Sequence, residues 1–141
     1  MFCLSHSCSI VVDVRQSLSP SGIFSCLKEF SVYNCNFLEN LFTPRLVQQL
    51  QNLETIIVRY CGSMKEILVA SNDDDDDSLS IALPKLTNLE LGDLPQLKIF
   101  CKGSISCESL PTLNIYGCQN LDMYSTIIIQ DVEIPYYRFC C

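Results

Sequence analysis

Four segments of this chain align with one another without a gap, and that repetition constrains the fold more than any other property of the sequence. The first is Leu27-Lys-Glu-Phe30-Ser-Val32-Tyr-Asn-Cys35-Asn-Phe-Leu38-Glu-Asn-Leu41. The second is Leu53-Glu-Thr-Ile56-Ile-Val58-Arg-Tyr-Cys61-Gly-Ser-Met64-Lys-Glu-Ile67. The third is Leu86-Thr-Asn-Leu89-Glu-Leu91-Gly-Asp-Leu94-Pro-Gln-Leu97-Lys-Ile-Phe100. The fourth is Leu110-Pro-Thr-Leu113-Asn-Ile115-Tyr-Gly-Cys118-Gln-Asn-Leu121-Asp-Met-Tyr124. The shared template is apolar-x-x-apolar-x-apolar-x-x-Cys/Leu-x-x-apolar-x-x-apolar/Tyr. With hydrophobic residues at 48% of the chain, chance does not fill all of these positions in four copies.

The template is the leucine-rich-repeat pattern, with cysteine or leucine where asparagine often stands. Two periods operate inside it. Phe30/Val32, Ile56/Val58, Leu89/Leu91 and Leu113/Ile115 alternate with mostly polar neighbours, as a half-buried strand requires. The later apolar positions recur every three residues, which turns the chain with one side inward. One repeat alone leaves those side chains in water, so neighbours must stack and pair their strands in parallel. The expected fold is an α/β leucine-rich-repeat solenoid of about four repeats. Short parallel strands line its concave face, and its convex side is irregular or carries short helices. Cys35, Cys61 and Cys118 are expected in the core as reduced thiols, which behave as small hydrophobes.

The connecting arms differ. Thr43 caps and Pro44 opens a short convex helix over 44–51, with Leu46, Val47 and Leu50 on one face. The arm from Cys101 to Ser109 is Gly/Ser-rich and predicts no more than a turn or a 3₁₀ piece. The arm after the second repeat carries the run Asp73–Asp77, whose mutual repulsion predicts a solvated loop over 71–78. Residues 1–22 are expected to form a degenerate N-terminal segment or partial repeat, with Ile10–Val14 as its strand. Residues 23–124 hold the repeats. Residues 125–141 form a C-terminal segment in which 126–134 is a possible last strand. Ends without a polar cap point to a piece of a longer solenoid or a truncated product.

Composition narrows the function. Nine basic against sixteen acidic residues give a net charge of −7, which argues against nucleic acid as a partner. Ten cysteines are present, but no Cys-x-x-Cys and a single histidine, His6, so no zinc site is expected. Their placement in apolar stretches points to a reducing compartment. No charge-free stretch is long enough to span a membrane. There is no G-x-S-x-G, no G-x-x-x-x-G-K and no H-E-x-x-H, so no catalytic, cofactor-binding or metal-binding residue is assigned and an enzyme is not expected.

What remains is a surface. In this register the strands place Glu29, Ser31 and Tyr33 on the concave face, followed by Thr55, Ile57 and Arg59. Asn88, Glu90 and Gly92, then Thr112, Asn114 and Tyr116, complete a ladder roughly 15 Å high. Tyr33, Ile57, Arg59 and Tyr116 are the residue types that anchor protein interfaces, and the ladder is the candidate partner-binding face.

The wording of the repeats carries a more specific likeness. Leu27–Phe42, Leu50–Leu68, Leu83–Lys98 and Leu110–Leu121 resemble the C-terminal leucine-rich repeats of plant coiled-coil, nucleotide-binding disease-resistance proteins. The resemblance covers about residues 24–122 and includes the acidic insertion before the third repeat. It implies a cytoplasmic immune receptor whose repeats recognise protein partners: a pathogen effector, a guarded host protein or other domains of the receptor itself. Since the chain holds neither a nucleotide-binding nor a coiled-coil portion, only effector sensing or autoinhibition carries over, as a non-catalytic recognition module. The alternative is the substrate-binding portion of a ubiquitin-ligase adaptor, whose repeats also carry cysteine at the ninth template position.

Overall fold

A computed structural model gives the fold, and it describes residues 8–14, 24–69, 80–101, 104–107, 112–122 and 137–140. In chain order the elements are β1 (Ser9–Val14), a 3₁₀ turn (Phe24–Cys26), β2 (Leu27–Tyr33), β3 (Asn40–Phe42) and the one-turn helix α1 (Pro44–Val47). They continue with β4 (Thr55–Arg59), β5 (Glu66–Leu68), β6 (Ser80–Ala82), β7 (Asn88–Gly92) and β8 (Ile99–Cys101). β9 (Ser104–Ser106), β10 (Thr112–Tyr116) and β11 (Tyr137–Cys140) complete the order. Strands are mostly parallel and helix is scarce.

The four template strands are neighbours in one six-stranded sheet of order β1-β2-β4-β7-β10-β11. Phe30, Ile56, Leu89 and Leu113 stand in one cross-strand row, and Val32, Val58, Leu91 and Ile115 in the next. The register therefore follows the gap-free alignment. The inward rows are buried: Val32, Val58 and Leu91 are each 0% exposed. Burial falls off at the two ends. Met64 and Leu97 are fully buried, whereas their template equivalents Leu38 and Leu121 are only partly so. The inner copies have another copy on both sides, whereas the outer copies have one on a single side and β1 or β11 on the other.

Each strand leaves the sheet through the same turn. Asn34, Tyr60, Asp93 and Gly117, at one template position, have φ of 57°, 58°, 52° and 62°. Glycine, asparagine and aspartate tolerate this left-handed region, and Tyr60 is held in it at a cost. The next template position packs inward. Cys61 Sγ donates to the carbonyl of Arg59 at 3.3 Å, and Cys118 Sγ to that of Tyr116 at 3.4 Å. A thiol here fills space and also ties the turn to its own strand, the second of which Leu94 cannot do. Three residues on, a backbone N–H closes the turn at 3.2 Å in all four copies: Leu38 to Cys35, Met64 to Cys61, Leu97 to Leu94 and Leu121 to Cys118.

The chain outside the six-stranded sheet departs from expectation. It carries two further parallel sheets, β3-β5-β8 and β6-β9. The Cys101–Ser109 arm, expected to hold only a turn, contains β9, which pairs Ile105 with Ile81. Strands of three residues are too short for any alternation to announce them. They form because equivalent extended segments of successive copies lie at strand spacing, where unpaired backbone groups find partners. The helix is shorter than 44–51. Leu46 N donates to Thr43 Oγ1 at 3.4 Å as the capping argument requires, but beyond Val47 the bonds tighten to the i→i+3 type at Gln49, Leu50 and Leu53.

The ends hold two corrections. β1 forms at Ile10–Val14 but runs antiparallel to β2, from Ser9 opposite Tyr33 to Val14 opposite Leu27. A strand of a preceding repeat would run parallel. Residues 15–26, which connect β1 to β2, form a shorter link than any crossover between the parallel strands, and a short link favours an antiparallel return. That register brings Cys8 alongside Cys35, and the two form a disulfide with a Cα–Cα distance of 4.6 Å. Cys35 sits in the core as expected, yet it is not a free thiol. Cys61 is a buried thiol, and Cys118 is a half-buried one. At the other end β11 pairs parallel to β10 beyond Pro135. The acidic run 73–77, Tyr124 and the strand expected over 126–134 lie outside the described residues.

Candidate functional site

The outward rows of the six-stranded sheet assemble the candidate ladder. Glu29, Thr55, Asn88 and Thr112 form one row; Ser31, Ile57, Glu90 and Asn114 the next; Tyr33, Arg59, Gly92 and Tyr116 the third. Ser31 and Glu90 are buried at 1% and 9% exposure, Gly92 is buried, and Thr112 is exposed. The other ladder residues are half-buried.

Gly92 organises the third row. It stands between Arg59 on β4 and Tyr116 on β10, and having no side chain it leaves a gap that the Tyr116 ring occupies. A Cβ on Gly92 would meet the far end of the Tyr116 ring, with Cε2 at 2.7 Å. The Tyr116 hydroxyl donates to Glu90 Oε1 at 3.1 Å. The same carboxylate oxygen takes an ion pair from Arg59 Nη2. On its other side, the Arg59 guanidinium lies 6.0 Å from the centroid of the Tyr33 ring, within cation–π range. Tyr33, Arg59, Glu90 and Tyr116 therefore form one connected cluster across four strands.

Its electrostatics follow from the packing. Burial works against the charge of Arg59, but the hydrogen bond and charge of Glu90 outweigh it and hold the guanidinium pKa above its ordinary value. Burial and the hydrogen bond to Glu90 push the Tyr116 phenol up to about 12. Arg59 is thus committed inside the face, a pairing that a list of strand residues does not show. Two polar atoms are left over: Arg59 Nε and Asn88 Oδ1 are buried with no hydrogen-bond partner among the described residues.

The remaining ladder residues are less connected. Ser31 Oγ donates to Glu29 Oε1 at 3.0 Å along the same strand. Thr55, Ile57, Thr112 and Asn114 share the face without entering the cluster. Sequence reasoning missed one neighbouring feature. The turns that follow the strands enclose an open cleft of about 400 Å³, lined by Asn36, Tyr60, Gly62, Asp93, Pro95, Gly117 and Gln119. The recurrence of these residues at two template positions was the available signal. Tyr60 stands in the cleft 49% exposed.

Among the described residues no three His, Cys, Asp or Glu side chains are grouped to hold a metal ion. Among the same residues, no helix is long and apolar enough to cross a membrane.

Comparison with known proteins adds to this geometry. The family model described as plant disease resistance protein RPS2-like, leucine-rich repeats, matches residues 5–132. A probable disease resistance protein of Arabidopsis thaliana is 34% identical over 96 residues, which is 67% of this chain. The chain spans about a tenth of that relative, whose matched portion is 10% of its length. No solved structure matches the chain. A recurring apolar template, strands paired in the register of that template and a match over nearly the whole length converge: the chain belongs to the RPS2-like leucine-rich-repeat family of plant disease resistance proteins.

Proposed function

We propose that the chain is four successive turns of a leucine-rich-repeat solenoid acting as a non-catalytic protein-recognition module in plant defence. Its partner is a pathogen effector, a guarded host protein or another domain of a longer cytoplasmic receptor that the repeats hold inactive. The observation that carries this reading is the Tyr33–Arg59–Glu90–Tyr116 cluster on one continuous sheet face. Tyrosine and arginine dominate the energetics of protein interfaces, and here Glu90 holds both Arg59 and Tyr116 before a partner arrives. The family match supports a defence role, whereas nothing comparable supports the ubiquitin-ligase alternative.

The test is affinity capture from plant extract with the wild-type chain and with the triple variant Tyr33→Ala, Arg59→Ala and Tyr116→Ala. A control variant, Lys98→Ala, lies on the β5–β8 side at an exposed position. A partner retained by wild type and control but lost by the triple variant, at unchanged circular dichroism, is the expected result. Equal retention by all three removes the concave face from the proposal.

A further inference from the structure

We propose that the Cys8–Cys35 disulfide is a reversible redox latch that fastens β1 over the outer edge of β2 and is opened by a small thiol reductant at Cys8. The inference is independent of the partner-binding reading.

Three observations carry it. The first is the asymmetry of the bond. Cys8 is exposed, while Cys35 is 0% exposed. A glutathione-type thiolate therefore reaches Cys8 Sγ alone. Attack there forms a mixed disulfide on Cys8 and releases Cys35 as the leaving thiolate, which takes up a proton. A second thiol then frees Cys8, so two thiols become one disulfide and two cysteine thiols are produced.

The second is the equivalence of Cys35 to its column. Its Sγ lies 3.3 Å from the carbonyl oxygen of Tyr33, as Cys61 Sγ lies 3.3 Å from that of Arg59 and Cys118 Sγ 3.4 Å from that of Tyr116. Once reduced, Cys35 has the acceptor that free thiols use in the other copies. The repeat core accepts both states at this position, so the bond serves β1 and not the core.

The third is the character of β1. It is the antiparallel neighbour of a parallel sheet, its register slips between Asp13 and Val14, and its first residues Ser9 and Ile10 are exposed. A peripheral strand of this kind opens more readily than the sheet beneath it. Cys61, adjacent in the column, is buried, and burial pushes its thiol pKa up, so it stays protonated and does not divert the exchange. Opening the latch uncovers the edge of β2, whose Glu29, Ser31 and Tyr33 form the first rung of the ladder.

Peptide mapping of the alkylated full chain, with amide hydrogen exchange, tests the latch in glutathione disulfide and then in dithiothreitol. The oxidised chain is expected to yield a linked Cys8–Cys35 peptide pair. Reduction is expected to speed exchange of the β1 amides by roughly tenfold to several hundredfold, the upper figure being the loop-closure entropy for a separation of 27 residues. Exchange in β4 and β7 is expected to change less than about twofold, because the core column is unaltered. Returning to glutathione disulfide restores β1 protection. Cys8→Ser, at an exposed position, reproduces the reduced behaviour without burying a polar group. Absence of the linked peptides in the oxidised chain overturns the proposal. So does equal β1 protection in both states, or a parallel loosening of β4 and β7, which would make the bond a global staple.

Discussion

Gly92→Ala separates the architecture of the face from the stability of the fold. The added Cβ would overlap Cζ and the hydroxyl of Tyr116 and stand 2.7 Å from Cε2, and ordinary carbon–carbon contact is about 3.5–4 Å, so the ring must withdraw by at least about 1 Å. Its hydroxyl then sits near 4 Å from Glu90 Oε1 instead of 3.1 Å, beyond hydrogen-bond reach. The lost bond costs about 1 kcal/mol, and replacing a strand glycine returns roughly 0.5–1 kcal/mol. The net change is below about 1 kcal/mol in urea unfolding at neutral pH.

The site, in contrast, changes visibly. Burial and the Glu90 bond together hold the Tyr116 pKa at about 12, and displacement weakens both. Its titration therefore moves down toward 10, read by nuclear magnetic resonance of the tyrosine ring carbons with Tyr116→Phe as the assignment control. Because the raised pKa favours the neutral phenol in the folded state, its stabilising contribution is complete below pH 10 and is lost as pH rises through 12. The stability gap between wild type and variant should accordingly close in that window. A Tyr116 pKa that stays near 12, or a loss above about 3 kcal/mol at pH 7, refutes the reasoning, the latter because a displaced ring and one lost hydrogen bond do not cost that much.

Other perturbations have distinct signatures. Gly117→Ala places a Cβ 2.9 Å from the Asp93 Cα and at φ 62°, so neither the neighbour nor the backbone yields, and a loss of roughly 2–3 kcal/mol in urea unfolding is expected. Leu91→Ala empties a fully buried site in the centre of the inward row and should cost about 2–5 kcal/mol by the same measurement, with lowered protection in both β4 and β10. Burial pushes the thiols of Cys101 and Cys107 up to about 11. The protonated form is favoured by folding, so stability is intact below pH 9 and falls as pH rises through 11, by up to about 3 kcal/mol per thiol. Cys107→Val should flatten that decline, and an unchanged slope would remove Cys107 as its source.

How much of this was legible depended on the length over which a pattern repeats. Phe30/Val32 and its three counterparts announced four strands and their mutual register, because one alignment displays the alternation four times. The strands Asn40–Phe42, Glu66–Leu68 and Ile99–Cys101 have three residues each, too few to show a period. Their existence depends on where the neighbouring copy places its own backbone. The direction of β1 was hidden for a related reason. Ile10–Val14 shows β propensity, but propensity carries no orientation, and the connector that decides it, residues 15–26, has no template. The Cys8–Cys35 bond then depends on that orientation: in a parallel arrangement Cys8 would not meet the turn that holds Cys35.

The face raises the same question at the level of side chains. Arg59 is a residue type that anchors interfaces, yet its charge is engaged by Glu90 from the next strand, one row over from its direct partner. Direct cross-strand partners touch by default, and diagonal ones touch only when the side chains are long and the space between them is free. Gly92 supplies that space for Tyr116, which stands directly opposite it and leans over it to reach Glu90. The clue was therefore present in the third repeat as Leu89-Glu90-Leu91-Gly92, a glycine in an outward position two residues after an acid. A glycine in a strand is usually counted as a weakness of the sheet. Here its missing side chain admits the Tyr116 ring, and one Glu90 carboxylate joins three strands, so Tyr33, Arg59, Glu90 and Tyr116 form a preassembled surface in place of four independent residues.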